Sequence, residues 1–349
     1  MADVDDGPRD AVEVQVQAAF REVLRHREIP VSVRFRDLGG SSLSTLQLQQ
    51  AIFESSGREV PFGLLWQRGT VAEIARALRS TPLLAEPRRV VALSPPARYK
   101  LVCVHGVVGM AIKYQLLADL LAAHDIQVLA VQAPGMLPAE KPAADLGQMA
   151  ELYANELATI VDENTSVLGY SMGALVAYEV VRRLERDGRP CANLVLLDSP
   201  APDRAGAAAR TTPHVSPVVI LASALHGVWN RDELLAVPAD EQLTWLYENA
   251  MARSALPPGY RPDDLARLVT VIQAHIEALT SYAPGTVEPL TTPTTVLALP
   301  TAEGPADLGW SAALSRPARV LPLDGQHHAL LDSPAVHAVA DHLRRLLHD

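Results

Sequence analysis

The sequence predicts an all-helical bundle across residues 1–80, followed by a parallel α/β domain that carries a helical insertion. Three observations lead there. Apolar residues recur at helical spacing through the first segment, without a strand-like run. From Lys100 onward, short apolar runs alternate with longer helical stretches, as when crossover helices bury both faces of a parallel sheet. Between Asp198 and Val296 the text turns helical again and offers no convincing strand.

The first helix covers roughly residues 10–25, where Val12, Val16, Phe20, Val23 and Leu24 recur at helical spacing, and Ile29-Pro30 ends it. A second begins near Ser42 and stops at Gly57, a residue suited to the left-handed turn that closes helices. Residues 61–66 read as a short helical turn, and Thr70 caps a last helix over 71–78 with Glu73 at the capping-box position. Residues 81–99 are basic and proline-rich, which reads as a linker. Strands are expected at 101–104, 128–131, 166–168, 194–197, 296–299 and 319–323, with helices near 113–123, 147–161, 173–187 and 334–347. The organisation is then 1–80, a linker over 81–99, and a second domain over 100–349, with a lid-like insertion at about 200–290 built from helices at 217–225, 241–251 and 262–280. Ala-Arg-rich text at 204–210 reads as a surface loop.

Of the net charge of −10, little belongs to the first domain, since Met1 to Ser80 hold eleven acidic and ten basic residues. No basic stripe is present, which argues against nucleic acid as a partner. Cys103 and Cys191 lie in or beside apolar runs, so burial rather than a disulfide framework or a metal site is expected. The acidic N-terminus has no apolar stretch of signal-peptide length and no segment approaches a membrane span, from which a soluble cytoplasmic protein is expected.

The chemistry concentrates at Gly169-Tyr170-Ser171-Met172-Gly173, which joins the strand Ser166-Val167-Leu168 to the helix that follows. A sharp strand-to-helix turn lifts a serine hydroxyl above the sheet and needs glycine on both sides, so Ser171 is the candidate nucleophile. The helix behind it aims its positive end at the place where an oxyanion would form. A serine needs a histidine base, and the histidine needs a carboxylate to orient it. Asp198 ends its strand and is followed at once by Ser199-Pro200, which makes it the best acid, with Glu303 and Asp307 as competitors after the next strand. Asp324-Gly325-Gln326-His327-His328 supplies the histidine, and the residues alone leave His327 and His328 equivalent. The loop His105-Gly106-Val107-Val108-Gly109 offers the Val107 N–H as a second oxyanion donor beside Met172 N–H.

Leu38-Gly39-Gly40-Ser41-Ser42-Leu43 resembles the phosphopantetheine attachment site of carrier domains, especially the peptidyl carriers of nonribosomal peptide synthetases. The resemblance implies a four-helix carrier bundle with phosphopantetheine covalently on Ser42, and it departs from the pattern at Arg34 and Arg36. Helix N-termini suit a phosphodiester because unpaired N–H groups and the dipole both favour negative charge. The second domain resembles the thioesterase at the end of peptide and polyketide assembly lines, an α/β-hydrolase with a helical lid insertion. That likeness rests on Val104-His105-Gly106, the turn around Ser171, Leu196-Leu197-Asp198-Ser199, Leu256-Pro257-Pro258, and Gly325-Gln326-His327-His328-Ala329-Leu330-Leu331. It implies Asp198 as the acid and His327 as the base, with His328 left to packing. It also implies a chain-releasing serine thioesterase that accepts an acyl or peptidyl chain from Ser42, releases it by hydrolysis or macrocyclisation, and needs no metal. Upstream synthetase modules and a phosphopantetheinyl transferase are the implied partners. Rival readings are an editing hydrolase that clears misloaded carriers, a non-catalytic carrier and docking module, and an ordinary esterase with a fortuitous helical domain.

Overall fold

The computed structural model describes residues 6–58, 60–80, 89–136, 140–204, 215–225, 230–256, 260–283, 288–300 and 304–348. The chain forms two compact units: Met1–Arg88 with Gly135–Glu140 and Ser216–Val269, and Arg89–Pro134 with Lys141–Val215 and Thr270–Asp349.

In the first unit, α1 (Ala11–Leu24) starts where the Asp10 carboxylate accepts the Val12 and Glu13 N–H groups. It ends at Arg25, whose left-handed backbone closes the helix. Helix α2 (Ser42–Ser56) is capped by Ser41 and closed by Gly57 at φ 67°. Helices α3 (Phe62–Gln67) and α4 (Val71–Arg79) follow, the latter capped by the Thr70 hydroxyl accepting Glu73 N–H at 3.1 Å. Their apolar faces meet in one core of Val16, Phe20, Phe35, Leu48, Ile52, Leu65 and Ile74, with the Phe20 and Phe35 rings edge to face. Helices Pro217–Ala224, Arg231–Ala236 and Gln242–Ala252 also belong to this unit. The six-residue Arg231–Ala236 helix is too short for its periodicity to stand out in the sequence.

In the second unit the described residues form a seven-stranded sheet: β1 (Val90–Ala92), β2 (Tyr99–Val104), β3 (Ile126–Val131), β4 (Thr165–Tyr170), β5 (Asn193–Leu197), β6 (Thr294–Ala298) and β7 (Arg319–Pro322). Their order is β1-β3-β2-β4-β5-β6-β7, parallel except for β1, which pairs antiparallel with β3. Strand β1 corrects the linker expected over 81–99: Val90–Ala92 take up the free edge of β3, while residues 81–88 lie outside the described residues. Helices α5 (Gln115–Leu121), α6 (Leu146–Leu157) and α7 (Met172–Arg186) connect the central strands. Met172 through Val181 are all buried on α7, as the nearly continuous apolar sequence predicts for a helix packed centrally on the sheet. Both cysteines are free and buried. From β2 the chain crosses to β3 on one side and returns to β4 on the other, so the loops after β2 and β4 open at a topological switch point, where such sheets bind ligands. Among the described residues no helix is long and apolar enough to cross a membrane.

Candidate active site

Ser171 sits between the end of β4 and the start of α7 with φ 57° and ψ −129°, a region that a residue with a Cβ rarely enters. The turn is tight enough to demand its glycines. A Cβ on Gly169 would lie 2.2 Å from the Gly173 carbonyl oxygen, and one on Gly173 would lie 2.4 Å from that of His105. The serine N–H donates to the Leu197 carbonyl at 3.2 Å, which ties the turn to the end of β5.

At that end stands Asp198, also with positive φ, its N–H donating to Leu297 O at 2.8 Å and its Oδ1 accepting Leu299 N–H at 3.1 Å. Its Oδ2 lies 2.7 Å from His327 Nδ1, and His327 Nε2 lies 3.0 Å from Ser171 Oγ. A carboxylate only accepts, so Nδ1 carries the proton and Nε2 is left bare toward the serine. A hydroxyl, imidazole and carboxylate connected in this way can pass a proton from Oγ to Nε2 while the carboxylate holds the resulting imidazolium. Burial pushes the Asp198 pKa up, but the His327 hydrogen bond, the Leu299 N–H and the His327 charge outweigh it and hold the carboxyl below its ordinary value.

The two histidines of the loop after β7 are separated by the fold. His327 reaches the serine and the acid, whereas His328 is exposed, which corrects the packing role expected of it. The physical reason is the short helical turn His327–Ala329, which sends consecutive side chains in different directions. Asp307 is occupied elsewhere: its carboxylate accepts the N–H groups of Gly309 and Ser311 at 3.0 and 2.8 Å. Glu303, the loop at 205–210 and Pro257-Pro258 lie outside the described residues.

Among the described residues, neither Val107 N–H nor Met172 N–H has a hydrogen-bond partner. Val107 belongs to a turn after β2 in which Gly109, at φ 82°, donates to the Gly106 carbonyl at 3.0 Å. Tyr170 is a contact that sequence reading missed: its hydroxyl donates to the His327 carbonyl, and the two rings lie 5.2 Å apart. Its place inside the glycine turn was the available signal. Burial, followed by the charges of Asp198 and Asp332, pushes the Tyr170 pKa upward and keeps it a donor. Also missed is His275, on the helix Pro262–Ser281, which meets the carbonyl of Val107. No local motif marks that residue.

Ser42, in the other unit, is the first residue of α2. The cap is made by Ser41, whose hydroxyl accepts Ser44 N–H at 3.1 Å while Ser44 Oγ accepts Ser41 N–H at 2.7 Å. Gly40 lets the preceding loop close on Phe35, since a Cβ there would fall 2.3 Å from the ring. The loop thus delivers residue 42 to the start of a 15-residue helix, a position that fits a phosphodiester.

Residues 99–347 match the thioesterase domain family. The chain belongs to that family. Ahead of the thioesterase domain, residues 14–78 match the phosphopantetheine attachment site family, in which the group is held covalently on a serine. Indigoidine synthase of Dickeya dadantii is 32% identical over 203 residues, 56% of this chain and 13% of that protein. The solved four-domain nonribosomal peptide synthetase holo-AB3403, bound to AMP and glycine, aligns with 99% of this chain and 27% of its own at TM-score 0.63 and 22% identity. The Vlm2 thioesterase domain aligns over 74% of this chain and 97% of its own at TM-score 0.58 and 22% identity. At such identities the structures establish the fold, a helical carrier region followed by a mixed α/β thioesterase domain. The chain spans a small part of the curated relatives it matches, 7%, 13% and 8% of the first three.

Proposed function

We propose that this thioesterase releases an acyl or peptidyl chain delivered as a thioester from Ser42, with Ser171 as nucleophile, His327 as base and Asp198 orienting the base. The observation that carries the reading is the unbroken chain Ser171 Oγ to His327 Nε2 at 3.0 Å and His327 Nδ1 to Asp198 Oδ2 at 2.7 Å. Phosphopantetheine bound at Ser42 supplies a thiol that holds the acyl group as an activated thioester. Ser171 Oγ attacks the thioester carbonyl while its proton passes to His327 Nε2. The tetrahedral oxyanion is received by the N–H groups of Val107 and Met172, which have no partner among the described residues. As the C–S bond breaks, His327 returns the proton to the departing sulfur. Water, or a nucleophile within the chain, then gives up a proton to His327 and attacks the acyl-Ser171 ester; the bond from the acyl carbon to Ser171 Oγ breaks as His327 returns that proton to Oγ, yielding a free acid or a ring.

The domain organisation we propose is a four-helix carrier over 1–80, joined by the part of the expected linker that precedes β1 to an α/β-hydrolase that includes β1 and runs to 349, with about 200–290 as its lid insertion. Support for the insertion comes from the chain between β5, ending at Leu197, and β6, starting at Thr294, where the described elements are helical. Linking carrier and hydrolase in one polypeptide raises the effective concentration of the thioester at the pocket. Upstream modules and a phosphopantetheinyl transferase are the partners this reading requires.

The test is to modify the chain with a phosphopantetheinyl transferase and acyl-coenzyme A analogues, map the mass gain to Ser42, and identify the released product by mass. Ser171→Ala should retain the loaded chain, with release slowed by about a thousandfold or more. Undiminished release from that variant overturns the mechanism.

A further inference from the structure

We propose that His275 is a positioning residue for the oxyanion-binding turn, holding the Val107 carbonyl so that the Val107 N–H is aimed before the substrate arrives. The proposal rests on the assignment of Val107 as an oxyanion donor made above. His275 lies on the helix Pro262–Ser281, is fully buried, and places Nδ1 2.7 Å from the Val107 carbonyl oxygen. A carbonyl only accepts, so Nδ1 carries the proton. The other nitrogen, Nε2, is buried without a partner among the described residues. An apolar side chain of similar size would avoid that cost, so what the imidazole contributes here is its Nδ1–H.

A second histidine holds the preceding peptide of the same turn. His105, also fully buried, donates from Nδ1 to the Gly106 carbonyl at 2.8 Å and accepts the Tyr153 hydroxyl at Nε2. The two rings stack with centroids 5.1 Å apart and planes 15° from parallel. Burial, with the neighbouring His275 adding to it, pushes the His105 pKa down to about 3. Burial also lowers that of His275, against the bond to Val107. Both rings are therefore neutral, each with one fixed N–H.

Peptide planarity carries the consequence. The Gly106 carbonyl and the Val107 N–H belong to one trans peptide and point in opposite directions, so holding the oxygen aims the hydrogen. The Val107 carbonyl belongs to the next peptide. With the planes on both sides of Val107 held, its φ and ψ are held too, and the N–H does not reorient when charge develops. His105 could be suspected from the sequence because it opens the turn. His275 comes from more than 160 residues away, as the 168-residue separation of its bond shows, and ties the geometry of the turn to the helix Pro262–Ser281.

The experiment compares His275→Leu, His275→Asn and His275→Gln in the full chain, using an acyl N-acetylcysteamine thioester as substrate and thermal melts as a check on folding. Asparagine can set its amide nitrogen near the Nδ1 position, whereas glutamine sets it near Nε2. We expect the leucine variant to lose kcat by about tenfold to a hundredfold with KM within about threefold, because the interaction strengthens only as the oxyanion forms. Asparagine should recover most of that loss, and glutamine should not. A leucine variant with wild-type kcat, a loss confined to KM, or equal impairment of the asparagine and glutamine variants overturns the proposal. If the leucine variant does not fold, the asparagine and glutamine pair decides alone. Ser171→Ala measured alongside separates the two readings: if it still turns over, the site assignment fails and this proposal with it. If Ser171→Ala is inactive while His275→Leu is unimpaired, only the role of His275 falls.

Discussion

Asp198, the orienting acid of the proposed mechanism, is a residue at which chemistry and stability would be coupled. It is half-buried between the end of β5 and the His327 ring, and its carboxyl is held below the ordinary 3.8. Because the folded state binds the proton less tightly than the unfolded chain, this group stabilises the fold above about pH 4. That contribution is lost as pH falls through the lowered folded value. Asp198→Asn removes the titration. We expect thermal melts from pH 6 to pH 3 to show wild type losing stability more steeply than the variant below about pH 4, and parallel slopes from there to the upper end. An identical pH dependence in both proteins contradicts the assignment. The same substitution should lower kcat by about ten-thousandfold when assayed near neutrality, since the amide favours the wrong imidazole tautomer. Gly169 and Gly173 belong to this scale as well, because the positive φ of Ser171 survives only where the neighbouring backbone can approach without a Cβ in the way.

Among the elements, α7 does two jobs, presenting Met172 N–H at its start and filling the core along its length. It also buries a charge. Glu179 is 5% exposed and accepts from Arg182 at 2.9 Å, Arg183 at 2.7 Å and the Tyr282 hydroxyl at 2.9 Å. Burial alone would raise its pKa, but these partners outweigh burial and keep it ionised. Glu179→Ala would take the carboxylate away from two guanidinium groups and from the buried Tyr282 hydroxyl, while Arg183 keeps its bonds to the carbonyls of Gly147 and residue 179. We expect a loss of about 3 kcal/mol in urea denaturation, with activity under native conditions within a few-fold of wild type. The elements themselves were largely readable from the sequence. The α7 run and the central strands have periodicity long enough to register, whereas β1 has three residues and needs the β3 edge to exist at all. The Arg231–Ala236 helix escaped for the same reason of length.

At the scale of the whole molecule, the proposed function requires two serines in one chain to do separate work. Ser42→Ala should abolish turnover of carrier-loaded substrate while leaving kcat/KM for a soluble acyl N-acetylcysteamine thioester within about twofold, since the hydrolase machinery is untouched. Equal loss with both substrates would mean that Ser42 supports the fold rather than delivery. The sequence by itself determined the helical segment followed by alternating strands and helices, the glycine turn around Ser171, and the chain order in which a strand-end acid and the His327-His328 pair follow it. These features are local: periodicity, glycine spacing and strand-end position are written in neighbouring residues. Tertiary structure decided what depends on approach between distant segments. It turned His327 rather than His328 toward Ser171, engaged Asp307 in a turn of its own, and set the Tyr170 hydroxyl on the His327 carbonyl. It also brought His275 onto Val107, a contact no sequence pattern announces, because hydrogen-bond partners are chosen by where backbones pack and not by where they lie along the chain.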